Sequence, residues 1–519
     1  MGVKICPEKY NAANLFVDRH IQEGRGEKVA IYYLDQQITY SEVQEKVNQT
    51  GNALKEMGIG LEDRVMLLLL DCPEFVYSFF GAMKIGAVPV PTNTLLKPED
   101  YEYLLNESRA KVIVVSEDLL VNITAIRDNL LYLRQIIVVG NPTEDYLSFD
   151  SLIKDKSIDL ETAHTITDDP AFWLYSSGTT GFPKGAVHLQ HDMAYSAEHY
   201  AKEVLQITEN DTTYSVAKLF FAYGLGNGLF FPFYVGASTV LSPQRPLPEH
   251  VYSTINRYKP TLFFGVPSSY TAMVQLETAK DYDLSSIRYC ASAGEPLPKV
   301  IFDRWLEKWN LEILDGIGST EILHIFISNM PGEVKPGSTG KIVPGYEAKI
   351  VDLDGSIVPA GEIGTLMIKG HSIAAYYWNK HEKTTETFIG EWINTGDKYF
   401  QDSEGFFWYV GRGDDMIKAG GIWVSPVEVE YCLMEHPAVS ESGVIGNADV
   451  DGLIKPKAFI VLNQGYEPSV ELADELSIFV KSKIAPYKFP RWVEFIPDLP
   501  RTATGKIQRY KLRQLETNS

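Results

Sequence analysis

The stretch that most constrains this chain is a short apolar run, Ala171-Phe-Trp-Leu-Tyr175, that passes directly into Ser176-Ser177-Gly178-Thr179-Thr180-Gly-Phe-Pro183-Lys184-Gly185. The apolar half reads as a buried strand. In the polar half, glycines let the backbone approach an anion closely, hydroxyls add donors and Lys184 supplies charge, a combination suited to a polyphosphate. A flexible linker has similar composition but rarely follows a buried strand so abruptly, so the segment reads as a nucleotide-phosphate loop. It departs from the usual P-loop, which places glycine before the lysine and Ser/Thr after it; here Pro183 and Gly185 hold those places. Kinases and ordinary NTPases are therefore disfavoured.

The surrounding sequence supplies the strand-and-helix alternation such a loop needs. Arg64 to Leu70 and Ala87 to Pro91 read as strands flanking a helix from Pro73 to Ile85, and Lys111 to Val115 and Gln135 to Val139 read as further strands. Alternation of this kind predicts an α/β fold with mostly parallel sheets covered by helices. Beyond about Gly332 the texture changes to short strands and turns, such as Ala348 to Ser356 and Gly364 to Lys369, predicting a small β-barrel or meander. The glycine-rich, charged Gly411-Arg412-Gly413-Asp414-Asp415 marks a boundary, giving a large unit over residues 1–412 and a small α+β unit over 413–519. In the small unit Val427 to Met434 and Val470 to Lys483 read as helices, and Glu441 to Ile445 and Ala458 to Leu462 as strands.

Composition narrows the partners. A chain of 519 residues with 45% hydrophobic content is a soluble globular protein too long for one ordinary core. A formal net charge of -21 argues against a general nucleic-acid or anionic-membrane binder, so anionic ligands must be held by local basic groups and backbone amides. Cys6, Cys72, Cys290 and Cys432 form neither a CxxC pair nor a disulfide framework, which fits a reducing cytoplasm. The start lacks the apolar core of a signal peptide. The long apolar run from Leu219 to Ala237 contains Gly224, Gly226, Asn227, Gly228 and Pro232 and reads as a buried helix and turn rather than a membrane span. Oligomeric state is left open by these residues, with a homodimer standing beside a monomer.

The phosphate loop also resembles the signature of the adenylate-forming superfamily: acyl-CoA synthetases, firefly luciferase and the adenylation domains of peptide synthetases. Asp315-Gly316-Ile317-Gly318-Ser319-Thr320-Glu321, Trp392 to Asp397, Gly411 to Asp415 and Pro500 to Lys506 resemble its later motifs in the expected order. The resemblance implies ATP, Mg²⁺ and coenzyme A as cofactors and co-substrates. The Ser176 to Lys184 loop would cradle the β- and γ-phosphates, Thr320 would give an α-phosphate contact, and Glu321 a Mg²⁺ carboxylate, magnesium preferring hard oxygen ligands. Ser-Thr-Glu alone is a common helix start, where capping is the plain reading. Asp397 takes the place of the ribose-binding aspartate and Arg412 that of a second ribose or phosphate contact, whereas Thr-Gly-Asp by itself is ordinary turn composition. Ala293-Gly294-Glu295 resembles the segment that lines adenine. Ile317 departs from the family, which usually has an aromatic stacking residue there. Lys506 matches the lysine that stabilises charge during adenylation, a basic tail being its plain reading. Asp414 matches the hinge on which the small domain rotates between half-reactions, and Gly420-Gly421 the turn presented to the CoA channel.

Within the superfamily, Lys218 to Asn227, Asp315 to Phe326 and Ser338 to Tyr346 resemble the benzoate-CoA ligase group. That likeness implies an aryl pocket walled by Ala222, Tyr223, Leu323, His324 and Ile325, with Gly316 and Ile317 opposite. Such a slot is flat and mostly apolar, suited to a ring with one carboxylate. A lone histidine among apolar residues is otherwise a satisfied core histidine, the competing reading of His324. The function implied is an ATP-dependent aryl-CoA ligase. The alternative is an adenylation enzyme loading a carrier-protein pantetheine, and a nucleotide-binding scaffold is the non-enzymatic one.

Overall fold

The computed structural model describes residues 8–176, 183–419, 422–449, 453–501 and 507–517. Two sheets built mainly of parallel strands dominate. In the first, Val88–Pro91, Arg64–Leu68, Val112–Ser116, Gln135–Val139 and Leu147–Ser148 lie side by side, all parallel. The first four are the apolar runs read from the sequence, and burial on both faces explains why they do not alternate with polar residues; the short, largely exposed Leu147–Ser148 edge was not among them. Among the described residues the second sheet has nine strands, in which Thr212–Ser215, Leu262–Gly265, Tyr289–Ser292 and Ile313–Gly318 run parallel and Ile325–Ser328 adds antiparallel to the last.

Helices cover these sheets. Tyr40–Glu56 begins in a capping box, with Thr39 Oγ accepting from the Glu42 N–H and the Glu42 carboxylate accepting from the Thr39 N–H. It crosses Pro73–Lys84, which starts with proline at its first turn and is buried except at Glu74. The crossing is close because Gly81 faces it: a Cβ there would stand 3.0 Å from the Val47 carbonyl oxygen and 3.1 Å from the Gly51 nitrogen. The Leu219 to Ala237 stretch forms consecutive helical turns, Ala222–Leu225, the wide turn Gly226–Phe230 and Phe231–Val235, largely buried.

The phosphate-loop region is a hairpin rather than a strand-to-helix connection. Pro170–Ser176 and Lys184–Leu189 pair antiparallel, Ser176 opposite Lys184, and Tyr376–Tyr377 joins as the third strand. Further along, Glu347–Val351, Gly364–Lys369, Trp392–Gln401, Phe388–Ile389 and Phe407–Arg412 form the antiparallel, turn-rich sheet expected there. The C-terminal portion has its own core beneath a sheet of Val439–Ala448, Ile454–Leu462 and Trp492–Phe495, packed with helices Pro426–Met434 and Val470–Lys483. Among the described residues, no helix is long and apolar enough to cross a membrane.

Candidate active site

At the mouth of the hairpin four side chains converge. Ser176 Oγ donates to Glu321 Oε1 at 2.9 Å, and the Tyr377 hydroxyl donates to the same oxygen at 2.7 Å. Lys184 Nζ lies 4.4 Å from the centre of the Tyr377 ring and 3.5 Å from its hydroxyl. Burial alone would push the Glu321 carboxyl up, but the hydrogen bonds of Tyr377 and Ser176 and the charge of Lys184 outweigh it and hold the group below the usual carboxylate range. Burial lowers Lys184, with Glu321 opposing. Together they place an ionised carboxylate and an ammonium at the opening of the loop. Ser177, Gly178, Thr179 and Thr180 lie outside the described residues.

Thr320–Ile322 forms one short 3₁₀ turn after strand Ile313–Gly318, and the Ser319 side chain makes no capping hydrogen bond to it. Local helix capping therefore does not account for the Ser319-Thr320-Glu321 sequence. The turn ends at Leu323, whose backbone has φ 74° and ψ -45°, outside the conformations that leucine ordinarily adopts.

Ser292 pairs with Asp315 at the ends of adjacent parallel strands, so Ala293-Gly294-Glu295 and the 315–318 backbone emerge side by side, where α/β sheets characteristically bind ligands. Asp315 is buried; Oδ2 accepts from the Leu297 N–H at 3.4 Å, while Oδ1 has no partner among the described residues. Burial pushes its carboxyl up to about 8. Gly294 is exposed with φ +94°, which glycine adopts without strain. Ile317 is half-buried. Glu295 also meets the C-terminal portion, its carboxylate 3.5 Å from Arg501, which bonds Glu441 at 2.9 Å.

Asp397 and Arg412 sit opposite each other on paired strands, with Arg412 Nη1 3.3 Å from Asp397 Oδ1 and donating to the Thr395 carbonyl at 3.0 Å. Asp414 follows in an exposed turn, 3.8 Å from Arg412. Gly420, Gly421 and Lys506 lie outside the described residues.

The residues that the sequence assigned to an aryl slot divide into two groups. Ala222, Tyr223 and Ile317 keep some exposed surface, whereas Gly316, Leu323, His324 and Ile325 are buried. Gly316 packs directly on Ile325, since a Cβ there would come within 3.0 Å of its Cγ2. His324 has Nε2 3.2 Å from the Tyr223 carbonyl, which can only accept, so this nitrogen carries the hydrogen. Burial drives its ring down to about 3, keeping it neutral, among Tyr200, Tyr223, Phe230 and Phe231. Its contacts are those of a wall fixed to the helix that carries Tyr223.

Sequence reasoning passed over Tyr377 and Arg501. Tyr377 belongs to a two-residue strand with no motif signature; the only signal was an aromatic cluster, Tyr376-Tyr377-Trp378. Arg501 stood within a quoted motif, but its partner is 206 positions away.

Comparison with known proteins places this geometry in context. The family described as AMP-binding enzyme matches residues 17–378, and the AMP-binding enzyme C-terminal domain matches 428–506. A benzoate–CoA ligase of Thauera aromatica is 48% identical over 516 residues, covering 99% of this chain and 97% of that protein. A 4-hydroxybenzoate–CoA/benzoate–CoA ligase of Rhodopseudomonas palustris is 44% identical, covering 98% and 94%. Among solved structures, the anthranilate CoA ligase AuaEII in complex with anthranoyl-AMP superimposes with a TM-score of 0.95 at 48% identity, covering 100% of this chain and 99% of that one.

Proposed function

We propose, from the premise that this chain belongs to the AMP-binding enzyme family, that it is an ATP-dependent aryl-CoA ligase acting on benzoate or a close relative. A carboxylate oxygen attacks the α-phosphorus of ATP, the bond to pyrophosphate breaks, and acyl-AMP forms. The thiolate of CoA then attacks the acyl carbon and AMP leaves with the bridging oxygen. The observation that carries the reading is a convergence: the phosphate hairpin, through Ser176 and Lys184, meets the Thr320–Glu321 turn, and the residues just beyond that turn back the Ala222–Tyr223 slot.

Roles follow from position. Lys184 and the 177–180 loop hold the departing phosphates, opposing charge where it accumulates. The Thr320 hydroxyl contacts the α-phosphate, Asp397 the ribose hydroxyls with Arg412 steadying it, and Ala293 to Glu295 with Asp315 to Ser319 the base. Magnesium fits the site as part of a metal–nucleotide complex. No group of three or more His, Cys, Asp or Glu among the described residues could cage an ion. Both side-chain hydrogen bonds to Glu321 go to Oε1, which suits a single hard oxygen ligand supplemented by phosphate and water. When bound, the ion would neutralise phosphate charge.

Ala222, Tyr223 and Ile317 offer the ring its surface, with Leu323, His324 and Ile325 as rigid backing. Residues 1–412 and 413–519 are the two units, turning about Asp414 so that Lys506 serves acyl-AMP formation and Gly420-Gly421 serves thioester formation. A cytoplasmic location, where ATP and CoA are at hand, belongs to the same reading. The deciding experiment is pyrophosphate release with benzoate, hydroxybenzoates, aminobenzoates, cyclohexane carboxylates and fatty acids, with and without CoA. Benzoate-dependent release without CoA is expected; a higher kcat/KM for hexanoate or longer chains would overturn the aryl assignment.

A further inference from the structure

The strand that carries Lys184 also carries His188, four residues on and therefore on the same face. His188 is fully buried, and its ring makes two hydrogen bonds among the described residues. Nε2 lies 2.8 Å from the carbonyl oxygen of Thr320, and Nδ1 lies 2.8 Å from Oδ2 of Asp192, itself fully buried. A carbonyl can only accept, so Nε2 carries the hydrogen and donates it to Thr320. Asp192 is fixed in turn, because the Leu189 N–H donates to the same Oδ2 at 3.1 Å. The imidazole plane is set by Phe172, opposite His188 in the strand pairing, whose ring stacks on it at 5.1 Å with 16° between planes.

The turn so held has reason to need holding. Thr320–Ile322 has no side-chain cap, and Leu323 at its end takes a positive φ of 74° that local sequence does not favour. A turn in that state persists only where its surroundings over-determine it. All three of its carbonyls are held from outside: Thr320's accepts from His188, Glu321's from the Ala374 N–H at 2.8 Å and Ile322's from Ser372 Oγ at 2.8 Å.

We infer that His188, oriented by Asp192, is a positioning residue for acyl-AMP formation: it fixes the Thr320 carbonyl and thereby the hydroxyl that meets the α-phosphate of the nucleotide. Neither His188 nor Asp192 touches substrate in this arrangement. Their contribution is to hold the Thr320 turn in register with Lys184, since one strand bears both the phosphate-binding ammonium and the imidazole that grips the opposite wall. This inference rests on the functional reading above for the role of Thr320.

The test compares His188→Leu, which removes both ring nitrogens, with His188→Gln, whose amide N–H can reach the same carbonyl. Acyl-AMP formation and conversion of supplied acyl-AMP to thioester are followed separately, using whichever aryl acid the unmodified enzyme accepts, so that failure with benzoate counts only against the choice of acid. His188→Leu should slow acyl-AMP formation about 10- to 100-fold, the usual effect of losing an outer-shell orienting group, while thioester formation changes less than about twofold. AMP affinity, measured by calorimetry in EDTA, should fall in parallel, and His188→Gln should recover most of both losses. Equal damage to the two half-reactions, or a glutamine variant no better than leucine, would overturn the inference. Should His188→Leu not fold, Asp192→Asn leaves the ring in place but loosens its orientation; it should weaken AMP binding and acyl-AMP formation in the same direction, and unchanged values would refute the role.

Discussion

Asp315 offers the most direct quantitative check, because its environment makes stability depend on pH in a definite direction. The carboxyl is buried in Ile313–Gly318, with a long hydrogen bond to Oδ2 from the Leu297 N–H at 3.4 Å and no partner at Oδ1 among the described residues. Burial pushes it from an ordinary 3.8 up to about 8. Between those values the folded protein holds a proton that the unfolded chain has released. The stabilising term is therefore complete below pH 3.8, is lost progressively as pH rises, and is gone once the folded group ionises near pH 8. At about 1.4 kcal/mol per pH unit, a rise from 3.8 to about 8 sets a ceiling of about 6 kcal/mol. Local relaxation and water entry lower the measurable share to about 1–3 kcal/mol, the range seen for buried polar groups.

Asp315→Asn removes the titration while keeping the shape: its amide oxygen accepts from Leu297 and its amide nitrogen replaces the acid hydroxyl. Urea unfolding of both proteins at constant ionic strength from pH 5 to pH 9 should show the difference moving steadily in favour of the asparagine variant and levelling off above pH 8. AMP binding should likewise lose part of its pH dependence over that window in the variant. Parallel stability curves across the whole range would refute the argument, because the buried carboxyl would then have no raised value to lose.

Further outcomes follow from the site. Tyr377→Phe removes one of two side-chain hydrogen bonds holding Glu321 Oε1; a bond to a charged group is worth about 1.5–3 kcal/mol, so acyl-AMP formation should slow by about 10- to 100-fold with the KM for benzoate unchanged, as single-turnover kinetics would reveal. Ala222→Phe fills the half-exposed side of the slot and should raise KM for benzoate strongly while KM for ATP stays near its starting value; equal damage to both would mark Ala222 as a folding position. Gly226→Ala would place a Cβ 2.4 Å from His324 Cδ2, forcing the ring to shift, so both thermal stability and benzoate KM should suffer. Lys506→Ala should lose acyl-AMP formation by orders of magnitude yet still convert supplied benzoyl-AMP and CoA to thioester, a separation that half-reaction assays would test.

What the sequence made legible was whatever its periodicity or local chemistry encodes. Uninterrupted apolar runs such as Val112 to Val115 are buried parallel strands because both their faces are covered, and proline at Pro73 announces a helix start because its missing N–H is unused there. Ser176 and Lys184 were legible from composition as a candidate phosphate site, since glycine, hydroxyl and ammonium are what a polyphosphate requires. The partners across the site were another matter. Tyr377 reaches Glu321 from 56 positions away and His188 reaches the Thr320 carbonyl from 132, and neither contact leaves a trace in local pattern because the residues meet only when separate strands dock. The division of the aryl wall was hidden for a related reason. Leu323, His324 and Ile325 look like pocket surface in a linear reading, but the positive φ at Leu323 redirects the chain into Ile325–Ser328, and all three side chains are covered. A conformation that leucine disfavours is maintained by tertiary contact rather than by its own sequence, so the residues around it must be read from the folded chain. The hydroxyl, glycine and ammonium composition of the hairpin was therefore visible in advance, whereas the contacts around it, from Tyr377 on one side and His188 with Asp192 on the other, emerged only where distant strands were brought together.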